Sequence, residues 1–202
     1  METEGPTTPY RQIRALYDEE TITVYQAYSA SIAIPSVREQ RLNASSDFLL
    51  GRMTWIKPSW CWMMYRSGYS TKDDRQAHIL ALKMKHDNFE RLLSQAVLTH
   101  GALTEEEKAM PVRVQWDPER NPALVVLPYR NIQIGISRIL SQTWAEEWIE
   151  SIEDVTARAL ELKKTVEEEP DVTVDELVSR GLMPLERAYG LPEALMKKLG
   201  ME

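Results

Sequence analysis

The sequence predicts an α+β fold in which a mixed, mostly antiparallel β-sheet is surrounded by helices and followed by a helical C-terminal third. Short β-branched and aromatic runs recur before residue 138, but their spacing gives no regular βαβ unit. After residue 138 the apolar residues recur mainly at helical spacing. The length of 202 residues, 43% of them hydrophobic, suffices for one domain with a sizeable core. We therefore expect a disordered lead over 1–9 and a single domain over 10–202, whose helical part starts at about residue 138.

The predicted strands are short runs of β-branched and aromatic residues bounded by turn residues. They are 22–29, 52–57, 78–84, 112–116, 123–127 and 131–137. Pro58 ends the second strand, and Pro128 separates the last two strands. The stretch 117–122, which contains two prolines, an aspartate and an asparagine, is a strong turn signal. The stretch 149–154 either breaks two helices or adds a short strand.

The predicted helices follow apolar periodicity and capping residues. They are 30–42, 60–67, 87–98, one turn before residue 110, 138–148, 155–168, 175–180, 185–189 and 192–199. Ser59 is placed to cap the second helix and Gly68 to end it. Thr104 and Glu107 have the spacing of a capping box.

Charge is distributed unevenly along the chain. Residues 1–140 hold 17 Lys and Arg against 16 Asp and Glu, whereas residues 141–202 hold 7 against 15. Residues 48–72 contain four basic residues, no acidic residue and six of the sixteen aromatic residues. Such a segment suits an anion that carries a flat ring, such as a nucleotide, a dinucleotide or a nucleic-acid strand. Alternatively, its aromatic residues form core and its cations are solvated.

Several classes of activity lack their motifs in this sequence. There is no phosphate-binding loop, no dinucleotide-binding glycine pattern, no serine-hydrolase elbow and no zinc-protease motif. The lone Cys61 excludes an internal disulfide, and the spacing of the three histidines suits no compact metal site. No apolar run approaches the roughly 20 residues that a membrane helix needs. These observations favour a cytoplasmic protein with no metal and no membrane segment.

Two segments of the first third carry candidate binding residues. On the first predicted strand, Tyr25 and Ala27 share one face while Gln26 and Tyr28 share the other. A glutamine on a core strand needs hydrogen-bond partners, which a ligand amide or ribose can supply, unless it faces solvent. Farther along, Lys57 lies beside the start of the predicted helix over 60–67, and helix N-termini bind anions through free backbone N–H groups.

A third segment lies on the last predicted strand. Asn131, Gln133 and Gly135 share one face, and three isoleucines share the other. The isoleucine face is expected to pack in the core. The polar face then has two interpretations. It lines a groove, where the missing side chain of Gly135 lets another group approach the strand closely, or it belongs to an edge strand that faces water.

Four sequence blocks resemble a known family. They are Val24–Tyr28, Arg52–Ser59, Trp62–Gly68, and Gln133–Ile136 followed by Trp144–Trp148. The family is catalogued as a domain of unknown function, number forty-two ninety-one, and the resemblance covers about residues 10–200. It implies membership of that family and brings no agreed activity.

The order of strands and polar residues is also similar to that of the ADP-ribosyltransferases. Those enzymes bind NAD between two small sheets, and they place Arg or His on the first strand, Ser, Thr or Tyr on the second and Glu on a late one. The resemblance implies a split sheet and assigns these roles to Gln26, to Thr54 or Ser59, and to Gln133. Gln26 and Gln133 depart from the pattern. An amide can hydrogen-bond a ribose hydroxyl, but it cannot stabilise an oxocarbenium-like centre by charge.

Three functions remain as expectations from the sequence. The first is binding of NAD or a related dinucleotide, with or without ADP-ribosyltransferase-like activity. The candidate catalytic residues are Gln26 and Gln133, and the candidate cofactor-binding residues are Tyr25, Thr54, Lys57, Ser59, Tyr65 and Arg66. The second is a module that binds single-stranded nucleic acid or processes RNA, and the third is a non-catalytic protein-interaction domain. The sequence leaves the oligomeric state open.

Overall fold

A computed structural model describes residues 8–99 and 103–201 of the chain. The predicted disordered lead lies outside this part except for its last two residues. The strands of the described part are β1 (Arg14–Ala15), β2 (Thr21–Tyr28), β3 (Thr54–Ile56), β4 (His78–Lys85), β5 (Ala96–Leu98), β6 (Val112–Arg120), β7 (Val126–Ile136), β8 (Ser151–Asp154) and β9 (Arg187–Ala188).

The helices surround these strands. They are α1 (Ala30–Glu39), α2 (Trp60–Ser67), α3 (His86–Ser94), α4 (Glu105–Ala109), α5 (Arg138–Thr143), α6 (Thr156–Glu168), α7 (Val174–Ser179) and α8 (Glu193–Lys198). A π-helical turn, Trp144–Trp148, continues α5, and two 3-10 turns cover Leu42–Ala44 and Asp74–Gln76. The predicted α+β class is confirmed, and from residue 138 onward helices are interrupted by the short strands β8 and β9.

The strands form three sheets. One has the order β2-β4-β8, one has the order β3-β7-β6-β5, and β1 pairs with β9. The pairing of β5 with β6 is parallel and the other ladders are antiparallel. The structure thus confirms a mixed, mostly antiparallel arrangement.

The two larger sheets meet at a bridge between β2 and the residue that follows β3. The backbone N–H of Tyr25 donates to the carbonyl of Lys57 at 2.7 Å, and the N–H of Lys57 donates back to Tyr25 at 3.2 Å. This bridge places the C-terminal half of β2 beside β3 without a continuous ladder. The side chains that follow Tyr25 on β2 therefore face those of β3 across the junction.

Two hydrophobic clusters hold the sheets and helices together. Strand β2 contributes side chains to both clusters because successive residues of a strand point to opposite faces. Ile22 and Val24 lie in the larger cluster, and Tyr25 lies in the smaller one. Trp60 and Met64 of α2 are fully buried in the smaller cluster. Part of the ring-rich segment 48–72 is therefore core, which is what the alternative interpretation of that segment expects.

The predicted caps of α2 are present. The Ser59 Oγ accepts a hydrogen bond from the Trp62 N–H at 3.0 Å, and Gly68 ends the helix with φ +57°. That left-handed conformation is the one that glycine adopts without steric cost. The capping box of Thr104 and Glu107 also forms at the start of α4.

The hairpin between β6 and β7 differs from the prediction at two prolines, Pro118 and Pro128. Residues 117–122 were expected to turn, but β6 continues to Arg120 and the turn follows it. The two strands expected on either side of Pro128 are the single strand β7. Both prolines are tolerated because β5 pairs only with residues 112–114 of β6, β3 pairs only with residues 134–136 of β7, and the register shifts after Pro118.

Two further predictions of helix extent were wrong, and one open alternative is decided. The helix expected over 87–98 ends at Ser94, and its last apolar residues form β5 instead. The helix expected over 185–189 contains β9, which pairs with β1, a strand that the sequence did not reveal. The undecided stretch 149–154 contains β8. Strands of two to four residues are stabilised by partners that are distant in sequence. The local periodicity of the sequence therefore does not reveal them.

Gly135 of β7 lies beneath the Trp55 ring. A Cβ atom at this position would lie 2.9 Å from the ring of Trp55 and 3.0 Å from the sulfur of Met53. We expect Gly135→Ala to lower the free energy of unfolding by about 1–3 kcal/mol because the ring and thioether must shift. Urea unfolding measures this change. Gly51→Ala is the control, since nothing lies within 4 Å of its added Cβ, and a loss there as large as at Gly135 would contradict the prediction.

Candidate functional site

A cleft of about 710 Å³ opens beside the bridge that joins the two larger sheets. Its walls come from β2, β3, α2, the polar face of β6 and β7, and the segment 47–53. The candidate residues Gln26, Thr54, Lys57, Arg66 and Gln133 all line it. The structure thus brings together five of the eight candidate site residues, which lie on four different elements or their ends.

Gln26 is a buried amide among the residues that line the cleft. Its side-chain N–H groups donate to Thr54 Oγ1 at 2.6 Å and to the carbonyl of Trp55 at 3.1 Å. The residue is 3% exposed, and its Oε1 is buried without a hydrogen-bond partner among the described residues. A buried amide oxygen without a partner is costly, which points to a donor that the protein alone does not supply.

Two hydroxyl groups lie beside Gln26 and form the polar floor of the cleft together with it. The Tyr28 and Thr54 hydroxyls lie 3.0 Å apart and share a hydrogen bond, with Gln26 donating to the same Thr54 oxygen. Burial raises the pKa of Tyr28 well above its usual range, so this phenol stays neutral at physiological pH. The floor therefore offers uncharged donors and acceptors, which is the chemistry that sugar hydroxyls and amides match.

Lys57 is a buried cation at the end of β3. It is 4% exposed, and its Nζ lies 4.7 Å from the centroid of the Trp62 ring. Burial and, to a smaller extent, the Arg66 cation lower the pKa of Lys57 to about 8, against Asp117, which raises it. Among the described residues no carboxylate lies within ion-pair distance of its Nζ. The amine thus lacks the anionic partner that buried charges usually have.

Arg66 supplies a second cation on the same wall. It lies two turns into α2, is exposed to solvent and, within the described part of the chain, forms no ion pair. Arg75, also at the cleft, is held instead by Asp73 through a forked pair. Lys57 and Arg66 are therefore free to receive an anion, whereas Arg75 already has a counter-ion.

The late strand contributes an amide pair. The Gln133 side chain donates to the Gln115 Oε1 at 2.6 Å, because these two residues face each other in the register of β6 and β7. Trp55 lies across Gly135 on the same face. The close approach that Gly135 permits is therefore made by the Trp55 ring, which also lines the cleft.

The other three candidate residues lie away from the cleft. Tyr25 is buried in the smaller hydrophobic cluster. Ser59 caps α2 and donates to Glu119 Oε1 at 2.8 Å. Tyr65, which is 42% exposed, lies under Arg120, whose guanidinium carbon is 3.9 Å from the centroid of its ring. None of these three side chains lines the cleft.

The helix N-terminus that was expected to bind an external anion contacts the protein's own acid. The Trp60 N–H donates to Glu186 Oε1 at 2.6 Å, and Glu119 accepts from Ser59 and from Asn131. Asn131, expected on the groove face, is fully buried and also bonds to the backbone of Arg14. These residues form a buried polar cluster next to the cleft rather than part of it.

Sequence reasoning missed Tyr28, Trp55, Trp62 and Gln115 as residues that line the cleft. For two of them, strand alternation in the sequence could have indicated a position on the cleft. Alternation along the strand at 112–116 puts Gln115 on the polar face, and Tyr28 shares the face of Gln26. The positions of the two tryptophans depend on the junction between the sheets, which the sequence does not specify.

The carboxyl group of Glu186 makes stability depend on pH. Burial and the neighbouring Glu119 raise the pKa of Glu186 well above its usual range, against the Trp60 N–H, which lowers it. A raised carboxyl pKa stabilises the fold below the unfolded value near 4.5, and this stabilisation is lost as the pH rises through the folded pKa. Glu186→Gln keeps the acceptor for Trp60 and cannot ionise.

We therefore expect Glu186→Gln to match the wild type at pH 4.5 and to be more stable at pH 8, by about 1–2 kcal/mol. Urea unfolding at the two pH values measures the difference. Glu193→Gln, on α8, is the matched control. An equal gain for Glu186→Gln at both pH values would show that charge at this position is not the cause.

The fold and the cleft define a class: an α+β protein with a polar, cationic and aromatic cleft at the junction of two small sheets. The chain belongs to the family described as Domain of unknown function (DUF4291), whose model matches residues 12–189. This match confirms the family resemblance of the four sequence blocks. No curated protein matches the chain.

Two features are absent from the described residues. Residues 8–99 and 103–201 contain no group of three or more His, Cys, Asp or Glu side chains placed to hold a metal ion. In the same part of the chain, no helix has both the length and the apolar character needed to cross a membrane.

Proposed function

We propose that the cleft binds NAD or a related dinucleotide. The proposal is supported by one juxtaposition. Gln26, whose buried amide oxygen has no partner in the described part of the chain, lines the same cleft as Lys57 and Arg66, two cations without an ion pair in that part. A dinucleotide carries both the hydroxyls that satisfy an amide oxygen and the phosphates that pair with cations. The volume of about 710 Å³ lies within the usual range of small-molecule sites.

Each part of the ligand has a chemical match in the cleft. Arg66, and Lys57 in its ammonium form, hold the phosphates through charge-assisted hydrogen bonds. Gln26, Thr54 and the Gln133–Gln115 pair hold the ribose hydroxyls and the carboxamide. The face of Trp55 stacks on one of the planar rings.

The split sheet of the ADP-ribosyltransferases is the fold analogy that favours NAD over other nucleotides. In this chain two small sheets meet at the bridge between Tyr25 and Lys57, with Gln26 and Thr54 at the junction and Gln133 on the late strand. A neutral Gln133 binds ribose but leaves the oxocarbenium-like centre without a counter-charge. We therefore test this function by the binding of NAD and not by the transfer of ADP-ribose.

The test is a thermal-shift and calorimetry panel with NAD, ADP-ribose, ATP and a short single-stranded RNA. A ligand present at 100 times its dissociation constant adds about 2.7 kcal/mol to stability, which such a panel detects. We expect NAD or ADP-ribose to stabilise the chain most. Stabilisation by RNA alone, falling steeply with salt, would instead support a nucleic-acid module. No stabilisation by any of them, together with a stable homo- or hetero-complex, would support an interaction domain.

We expect Arg66→Ala to weaken binding of NAD about tenfold, because removing a charge-assisted hydrogen bond costs about 1.5–3 kcal/mol. Isothermal calorimetry measures the dissociation constant. Arg38→Ala is the matched control, since Arg38 is an exposed arginine near the end of α1 that pairs with Glu39 and does not line the cleft. Unchanged affinity in Arg66→Ala would remove Arg66 from the site.

A further inference from the structure

Lys57 differs from the other cations of the cleft in its surroundings. Arg52 and Arg66 are exposed and Arg75 is paired with Asp73, whereas the Lys57 side chain is 4% exposed and forms no ion pair with the residues that the structure describes. Its Nζ lies over the face of Trp62 at 4.7 Å from the ring centroid. The ring and the buried backbone around the bridge hold the amine in one place while leaving it on the lining of the cleft.

Burial and the neighbouring Arg66 cation favour the neutral form of this amine, whereas the Trp62 ring and Asp117 favour the ammonium form. Arg66 on α2 disfavours a second cation, and Asp117 on β6 is the acid that opposes it, from beyond ion-pair distance. Because of burial, the pKa of Lys57 is lowered to about 8. A neutral amine has a lone pair and is a nucleophile, whereas an ammonium ion is not.

We propose that Lys57 is a reactive amine that captures the aldehyde of a phosphorylated sugar bound in the cleft, such as the ring-opened terminal ribose of ADP-ribose. The Nζ attacks the carbonyl carbon, its proton passes to the carbonyl oxygen, and the resulting carbinolamine loses water to leave an imine. No oxidant, reductant or further reactant is consumed. The choice of ADP-ribose rests on the proposed nucleotide function, whereas the reactivity of the amine does not.

The arrangement of the cleft selects which aldehydes reach the amine. Arg66, on the same wall, attracts the phosphate, while Gln26 and Thr54 on the floor bind the sugar hydroxyls. An aldehyde that carries both groups is held near Nζ at a high effective concentration. NAD lacks a free anomeric carbon on its ribose rings and therefore binds without forming the imine.

The experiment traps the imine on the full chain. The protein is incubated with ADP-ribose and sodium cyanoborohydride at pH 8, and the adducts are located by intact mass and peptide mapping. We expect Lys57 to be modified at least about tenfold faster than the solvent-exposed Lys85, and we expect excess NAD to suppress the reaction. The variant Lys57→Arg keeps the positive charge but cannot form the imine, so we expect it to lack the adduct. If that variant does not fold, peptide mapping of the wild type alone shows whether Lys57 is the modified residue.

A second probe separates this inference from the proposed function. Pyridoxal 5′-phosphate carries an aldehyde and a phosphate but no nucleoside. If NAD does not bind and this probe still modifies Lys57 selectively, the dinucleotide function fails and the reactive amine stands. If NAD binds by calorimetry and both aldehydes modify Lys57 no faster than Lys85, the reactive amine is wrong and the nucleotide site stands.

Discussion

We expect Asn131→Leu to lower the free energy of unfolding by about 3–5 kcal/mol, the largest loss of stability that we predict. Asn131 is fully buried on β7. Its amide donates to Glu119 Oε2 at 2.9 Å and to the carbonyl of Arg14 at 3.1 Å, and its oxygen faces the Arg14 N–H at 3.4 Å. Leucine leaves a buried carboxylate with one donor fewer and removes the side-chain partners of the Arg14 N–H and carbonyl, and both losses are costly.

The matched control lies two residues farther along the same face. Gln133 is also an amide on β7, but it is only partly buried, and the one side-chain partner of its amide among the described residues is Gln115. We expect Gln133→Leu to change stability by about 1 kcal/mol or less. Urea unfolding of both variants measures the difference. Equal losses at the two positions would mean that strand packing, and not the Glu119 cluster, determines the cost.

This contrast shows how far the sequence could predict the site. Alternation correctly places Asn131 and Gln133 on one face of β7, and the sequence treated both as polar groove residues. The structure separates them because β1 covers the Asn131 end of the strand, whereas the Gln133 end opens into the cleft. The two-residue strand β1 has no periodicity of its own, so nothing local could distinguish these positions.

The same reasoning applies to the fold. Where the determinants are local, prediction succeeded: Ser59 and Gly68 bound α2, and Thr104 and Glu107 cap α4. Where the determinants are distant partners, it failed, since Pro128 lies inside β7 on a stretch that β3 does not pair with. The cations at the cleft were predictable from an acid-free segment, but their lack of partners is a property of the junction between the sheets.

A buried lysine without a carboxylate partner should destabilise the protein that contains it. Lowering the pKa of Lys57 from 10.5 to about 8 means that the unfolded chain binds the proton more tightly. The cost is therefore complete below pH 8, and stability recovers as the pH rises from 8 to 10.5. We expect Lys57→Met, which fills a similar volume without charge, to stabilise the fold at pH 7 by about 1–3 kcal/mol. Urea unfolding at pH 7 and pH 10 measures this gain and its decrease.

The exposed Lys83, which pairs with Asp18, provides the control for this measurement. Lys83→Met is expected to change stability by about 0.5 kcal/mol or less at either pH. A loss of stability in Lys57→Met at pH 7 would mean that the contact with Trp62 outweighs the cost of burying the charge, and that Lys57 serves the fold.

The same substitution is expected to act in the opposite direction on binding. Lys57→Met removes the enclosed cation, so the affinity for NAD should fall by about tenfold to a hundredfold, as for the loss of one charge-assisted hydrogen bond. Calorimetry on the wild type, Lys57→Met and Lys83→Met measures this. A residue kept for folding would lose stability and binding together when it is replaced. A gain of stability with a loss of affinity is instead the result expected where a protein keeps an unfavourable buried charge for its ligand.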